Sequence, residues 1–216
     1  SGPTEFLFPT GVYALPADST AVYDMGNQRY LLLDPTGKPV STFRMDEGGG
    51  GGGMMILRAA SGADDKGRLY YSTRGEQRGG GMDGGPPEFS DSGRVVRYDR
   101  STGKFDTLGV IMVPKPKVEA SGSANSRSVS IRRVPMAPED AWGVAPDGRI
   151  GVARIVTDEV QWWLPDGKRI TGPPVPSFPV KGTEADKRAW QAQQARSGIN
   201  VNNNNGQITV SPAPSK

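Results

Sequence analysis

Five side chains with carboxylate or amide oxygens are the residues of this chain best suited to chemistry. Asp24 and Asn27 stand three positions apart, Asp64 and Asp65 are adjacent, and Asp158 follows much later. Calcium takes six or more oxygen ligands, so these residues would have to converge to hold it. The spacing shows no convergence, and a carboxylate in a turn, as at Asp64, ordinarily accepts bonds from nearby backbone N–H groups.

The chain has no histidine and no cysteine. It therefore lacks the commonest general base and transition-metal ligand, and it has neither disulfides nor thiolate metal sites. Trp162 and Trp163 could stack a sugar or a quinone, but neighbouring residues of a strand face opposite sides. We expect one of these rings in the core and the other at the surface. The sequence predicts no catalytic residue, no metal site and no cofactor.

Composition points to a β-rich protein. The 216 residues include 30 glycines and 19 prolines, a density of turn-forming residues that favours an all-β chain. Basic and acidic residues number 26 and 23 and are mixed along the chain, which favours a solvated surface over a nucleic-acid-binding face. No run of 18 apolar residues is present, so no transmembrane segment is expected here. The start, SGPTEFLFP, has neither Met nor a signal peptide, as expected of processing or of a longer product.

An internal repeat is the strongest pattern in the sequence. When the chain is shifted by 130 residues, the stretch around Ser19–Phe43 falls without a gap on a later stretch that contains VARIVTDEVQWWLPDGKRITG. Matched positions include Val22 on Val152, Pro35 on Pro165, Gly37 on Gly167 and Lys38 on Lys168.

A third, interrupted copy lies between the other two. ADDKGRLYYS and GRVVRYDRSTGKFDTLG match the two halves of the unit, separated by GEQRGGGMDGGPPEFSDS. In each copy a large apolar residue precedes a turn glycine by five positions, which predicts equivalent buried positions for three residues: Leu32, Tyr98 and Trp162.

The repeated unit reads as a small antiparallel sheet. Its strand-like segments are rich in β-branched and aromatic residues, and DPTGK, RSTGK and LPDGK place glycine where a hairpin turn needs positive φ. A meander of about four strands cannot bury a face alone, so neighbouring copies must stack, as in a β-propeller. The predicted fold is all-β, with blades in 1–180 (about 10–45, 54–113 and 138–175) and a helical connector and tail in 181–216.

Two of the copies resemble a known family. VYDMGNQRYLLLDPTGKPVSTF resembles an NHL-type blade, with Asp24, Asn27 and Arg29 before an apolar strand and a Gly37-Lys38 turn. DAWGVAPDGRIGVARIVTDEVQWWLPDGKRITGPPVP is similar to blades of secreted bacterial six-bladed β-propellers of the NHL-like or TolB-like kind, in which EADKRAW-like helical segments also follow a blade. The resemblance implies part of a propeller ring in an extracytoplasmic protein, at the periplasm or cell surface.

The resemblance also implies an alternative function. Six-bladed propellers include calcium-dependent lactonases and related hydrolases, which bind calcium through carboxylate and Asn side chains. Against this, Asp24 of the first copy aligns with Arg154 of the third.

Three blades do not close a ring, because closure takes at least four. Missing residues or another chain must then cover the open strand edges. We therefore expect a non-enzymatic binding or scaffold protein in a larger, membrane-associated assembly. The extrinsic subunits of bacterial photosynthetic reaction centre–antenna complexes are one example of such a part.

Two segments that a propeller does not need for closure are the predicted contact elements. The excursion Val113–Asp140 is polar and bounded by prolines, with a strand expected at Ser128–Val134. TEADKRAWQAQQAR predicts a helix capped by Thr183, which either packs on the blades or docks on a partner, and the tail resembles a hairpin. The predicted partner-binding residues are Arg127, Arg132, Arg133, Trp163 and Trp190.

Overall fold

The protein is built mainly from short antiparallel β-strands. A computed structural model describes residues 2, 5–45, 59–73, 77–78, 88–123, 126–132, 134–176, 181–197, 199–204 and 207–212. Within these ranges the strands form three four-stranded antiparallel sheets and three two-stranded ones, accompanied by one helix. The β-rich fold class expected from the sequence is confirmed.

The first sheet is a meander in which every strand pairs with the next along the chain. Its strands are β1 (Pro9–Ala14), β2 (Thr20–Asp24), β3 (Arg29–Leu33) and β4 (Pro39–Phe43).

The second sheet is the same meander with an interruption. Its order is β5 (Gly62–Ala63), β6 (Leu69–Ser72), β9 (Ser92–Asp99) and β10 (Lys104–Met112). Between β6 and β9 a minimal hairpin is formed by β7 (Gln77–Arg78) and β8 (Glu88–Phe89).

The third sheet follows a separate hairpin. That hairpin, the arm hairpin, consists of β11 (Lys117–Ser123) and β12 (Ser126–Arg132). It pairs with no strand of the three large sheets among the residues described. The sheet itself is β13 (Ala141–Val144), β14 (Ile150–Arg154), β15 (Glu159–Trp163) and β16 (Arg169–Thr171). The predicted strand at 128–134 is thus only half of a hairpin, and β11 was not predicted.

The strand register confirms the repeat between the first and third copies. Val22 lies opposite Val12 and Leu31, and at a shift of 130 residues Val152 lies opposite Trp142 and Gln161. The same backbone pairing therefore recurs in two sheets whose side chains differ. Turn geometry recurs with it, since Gly37 and Gly167 have φ values of 80° and 86°.

The middle copy departs from this register by one residue. Tyr98 lies opposite Leu69, and this is the position that Trp163 takes opposite Ile150 in the third sheet. The shift arises because the middle turn is one residue longer. Gly103 N–H donates to Asp99 O, four positions back, whereas Gly167 N–H donates to Leu164 O, three positions back. The prediction of three equivalent buried residues is therefore wrong. Tyr98 is 9% exposed, Leu32 is half-buried and Trp162 is 40% exposed.

Two apolar layers hold the three sheets together. The first joins Tyr23 and Tyr30 of the first sheet to Leu69, Tyr71 and Val96 of the second. The second layer joins the opposite face of the second sheet to the third sheet, through five main residues: Tyr70, Val95, Ile150, Val152 and Trp163. The second sheet is therefore buried on both faces and lies between the other two.

The final described segments are a helix and a hairpin. Helix α1 (Glu184–Ser197) is capped by Thr183 as predicted, since Asp186 N–H donates to Thr183 Oγ1 at 3.2 Å and Thr183 N–H donates back to Asp186 Oδ2 at 2.8 Å. The expected tail hairpin is present as β17 (Ile199–Asn204) paired with β18 (Gln207–Pro212).

The second layer can be tested with two matched substitutions. Val95→Ala removes two buried methyl groups between the second and third sheets, where Val95 is 0% exposed. We expect it to lower the free energy of unfolding by about 2 kcal/mol. Val110→Ala, on the neighbouring strand and 50% exposed, is the control and should cost less than about 0.5 kcal/mol. Equal urea-unfolding midpoints for the two variants would contradict the stacking.

Candidate partner-binding site

A cleft of about 310 Å³ lies beside the inner face of the third sheet. The cleft lies at the end of β10, the last strand of the second sheet, next to β14, β15 and β16 of the third sheet. Its lining residues are Met112, Asp140, Arg154, Val156, Thr157, Gln161, Arg169 and Thr171.

The buried carboxylate of Asp140 organises this cleft. It accepts N–H groups from Met112 at 2.8 Å and Ile155 at 3.0 Å, and the Arg154 guanidinium at 2.7 Å. Asp140 N–H in turn donates to Met112 O at 3.1 Å. These bonds tie the end of the second sheet to the start of the third, so the chain between Met112 and Asp140 leaves and returns at one point.

Two arginines flank the indole ring of Trp163. The guanidinium of Arg154 lies 5.4 Å from the ring centroid and that of Arg169 lies 4.5 Å from it, both within cation–π range. Trp163 is 4% exposed and packs against Gly109, where an added Cβ would come within 2.5 Å of the ring. A side chain at position 109 would therefore displace the tryptophan.

The charges of the cleft suit binding more than catalysis. Asp140 neutralises Arg154, whereas the exposed Arg169 has its Nη2 donating to Leu108 O at 3.3 Å and adds an extra positive charge. Both oxygens of Asp140 are already engaged, so it is poorly placed to activate the hydroxyl of Thr157 or Thr171 as a base would. The cleft can accept a carboxylate or a backbone carbonyl.

Four of the five predicted contact residues lie on three different elements. Arg127 and Arg132 are on strand β12, and Arg133 falls outside the described residues. Trp163 is a core residue, and its neighbour Trp162 is 40% exposed, which confirms that the pair is split between core and surface. Trp190 is half-buried and lies on helix α1. The contact roles of these residues stay predictions.

Two of the four aspartates considered as calcium ligands, Asp24 and Asp64, are engaged by protein donors. Asp24 is buried and accepts N–H groups of Leu7 and Phe8 and the Asn27 amide. Asp64 accepts two backbone N–H groups of its own turn, as expected for a turn carboxylate. Its second oxygen accepts the Arg68 guanidinium at 2.6 Å and the Tyr70 hydroxyl at 2.8 Å. Within the described part of the chain, no three His, Cys, Asp or Glu residues are grouped so as to hold a metal ion.

Asp140, Gln161 and Arg169 were not singled out from the sequence. The one available signal was Arg154, which falls on the repeat position of Asp24 and reverses its charge. In both sheets that position binds the segment that leads into the sheet: Asp24 holds the backbone at residues 7–8, and Arg154 holds Asp140. The two sheets fulfil the same structural need with opposite charges.

Neither family models nor curated proteins match this chain. Among the residues described, the helix is too short and too polar to cross a membrane.

The Asp140 clamp predicts a pH-dependent stability. Burial alone would raise the pKa of Asp140, but the N–H groups of Met112 and Ile155 and the Arg154 guanidinium hold that pKa below its ordinary value of 3.8. The unfolded chain therefore takes up this proton first as the pH falls, so the stabilisation is complete well above pH 3.8 and is lost below it. Asp140→Asn should lower the free energy of unfolding at pH 7 by about 1 to 3 kcal/mol and flatten the acid dependence.

Asp166→Asn provides the matched control, because Asp166 is an exposed turn residue that accepts a single N–H group from Lys168. Urea unfolding between pH 3 and pH 7 distinguishes the variants. An unchanged acid slope in Asp140→Asn would show that the clamp does not contribute to stability.

Removal of metal ions provides a separate test. Because the carboxylates of Asp24, Asp64 and Asp140 are satisfied by protein donors, we expect the melting temperature to be the same in EDTA and in calcium. A bound ion would stabilise the folded state by mass action. A melting temperature several degrees lower in EDTA would support the calcium-dependent hydrolase instead.

Proposed function

We propose that this chain is a non-enzymatic binding or scaffold module of the β-propeller type. On this proposal it works outside the cytoplasm and stabilises a larger, membrane-associated protein assembly. The observation that carries the proposal is that two elements, the arm hairpin and helix α1, form outside the three stacked sheets.

Over the residues whose burial the structure describes, helix α1 packs little against the sheets. Residues 184–193 are exposed, apart from the half-buried Trp190. An isolated helix of fourteen residues is marginal in water, because most helical stability in proteins comes from packing an apolar face. A helix of this kind gains stability when a partner covers it, and Trp is among the residue types that contribute most at interfaces.

In the part of the chain that the structure describes, the arm hairpin joins the sheets at its root. Asp140 and Met112 close the excursion at its base, and Lys117 lies opposite Arg132 where the two arm strands begin to pair. Such an element is fixed in position by the sheets while its own sequence is free to suit a partner.

The direction in which the sheets stack supports the propeller-type part of the proposal, because equivalent faces of successive sheets point the same way along the stack. Ala21 and Tyr23 of the first sheet face the second sheet, but their repeat positions, Gly151 and Ala153, are on the outward face of the third. The opposite face of the third sheet, with Ile150 and Val152, packs on the second sheet. Each sheet thus presents one face backwards and the other forwards, as successive propeller blades do.

The third sheet ends this stack with apolar residues at its surface. Trp162 is 40% exposed and Ile170 is 54% exposed on its outward face. Exposed large apolar groups close together favour a covering partner. A further blade or another chain of the assembly would fill this role.

Deletion of the arm hairpin tests the proposed function. Removing residues 116–133 joins two points that the Lys117–Arg132 pairing already brings close, so the three sheets should remain folded. We expect the deleted protein to separate from its native assembly in sedimentation at physiological salt, and Trp190→Ala to weaken the association.

The control is deletion of Glu47–Gly53, a glycine-rich stretch of the sequence. Urea unfolding of all three variants verifies the sheets. If the arm deletion and Trp190→Ala both leave the protein in its assembly, the contact surface lies elsewhere.

A further inference from the structure

The excess positive charge of the protein is concentrated in one segment. Residues 113–134 contain five basic residues and one acidic residue, a net charge of +4, whereas the whole chain has a net charge of +3. The remainder is therefore nearly neutral, with a net charge of −1. The mixing of charges noted along the sequence holds everywhere except here.

The backbone brings two of these basic residues together at the root of the arm hairpin. Lys117 and Arg132 form a cross-strand pair, with Lys115 two residues before and Arg133 directly after in the sequence. Like charges placed directly opposite each other in a sheet are destabilising. Lys115 Nζ lies 3.9 Å from the carboxylate of Asp91, but both groups are exposed and such a pair contributes little. An external anion would relieve this repulsion.

The register also groups the apolar residues of the hairpin at neighbouring positions. Val118 lies opposite Ile131, and Ala120 lies opposite Val129. Because side chains alternate between the two faces of a strand, these four positions share one face of the hairpin. Gly122 and Arg127, nearer the tip, complete that face, while serines, with Lys117, Arg132 and Glu119, occupy the positions of the other face.

We propose that the arm hairpin binds the surface of an anionic lipid bilayer. This inference rests on the proposed function, in which the arm is a contact element, and it names the contacted surface. A bilayer interface accommodates both features of the arm: its headgroups attract the basic root, and its acyl boundary receives an apolar face. An acidic protein surface would account for the charge alone.

The binding is mainly electrostatic. Residues 113–134 contain no Trp, Tyr or Phe to anchor the hairpin at the membrane interface, and the apolar side chains are small. Each Lys or Arg near an anionic surface raises the affinity roughly fivefold. The contact should therefore require anionic lipid and disappear at 1 M salt, where the screening length is about 3 Å.

The test uses the full chain and vesicles that contain no other protein. We expect flotation with vesicles of phosphatidylcholine and phosphatidylglycerol, and none with phosphatidylcholine alone. The double substitution Lys117→Glu and Arg132→Glu should weaken this binding about 25-fold or more. The control, Lys38→Glu with Lys104→Glu, changes the net charge equally at two exposed residues that directly follow turn glycines and should leave binding within twofold.

The milder pair Lys117→Gln and Arg132→Gln keeps the test valid if the charge reversal disturbs the hairpin, since it should lose about 25-fold in affinity through charge removal alone. Equal binding to both vesicle types, no binding to either, or equal loss in the control pair would overturn the proposal. Hairpin-dependent binding to poly-glutamate without vesicle binding would overturn it too, in favour of an acidic protein partner. Release from the native assembly on arm deletion, without vesicle binding, would contradict the lipid contact and leave the proposed function standing.

Discussion

The structure depends on one property of a four-stranded antiparallel sheet: it has two faces, and a single small sheet leaves one or both uncovered. Side chains alternate between the faces, so a sheet that is apolar on both must be covered on both sides. The second sheet satisfies this requirement completely, with Tyr71 and Val96 packed towards the first sheet and Val95 towards the third. The order of stacking follows, since the middle position belongs to the sheet with two apolar faces.

Buried aspartates connect these sheets to the segments around them. Asp24 holds the backbone that precedes the first sheet, Asp64 lies where a turn of the third sheet approaches the second, and Asp140 closes the root of the arm. Gly148 shows how close the approach at Asp64 is, since an added Cβ there would lie 3.2 Å from a carboxylate oxygen of Asp64. A charged group removed from water must be matched by several donors. Each carboxylate therefore fixes one junction of the chain, and the arm inherits its position from Asp140.

The repeat was readable in the sequence because turn chemistry and strand register are local. The spacing from Val22 to Gly37 recurs from Val152 to Gly167, and the pairing of both sheets follows from it. The register of the middle copy was predicted wrongly because register also depends on turn length. One additional residue before Gly103 moves Tyr98 to the register position of Trp163. The cleft was not readable, since Asp140, Arg154 and Arg169 come together only when the second and third sheets stack. Helix α1 and its Thr183 cap could be predicted because they depend on neighbouring residues. The exposure of the helix could not, because it depends on how the helix lies against the rest of the chain.

The claim on which the rest depends is that the second sheet lies between the first and the third, and nuclear Overhauser contacts in solution test it most directly. The account predicts contacts from the Trp163 indole to the methyl groups of Val95 and Ile111, and from the Tyr30 ring to those of Leu69 and Val96. No contact should join Trp163 to Tyr30, because the second sheet separates them. Contacts between Trp163 and Tyr30, or the absence of contacts between Trp163 and Val95, would contradict the stacking.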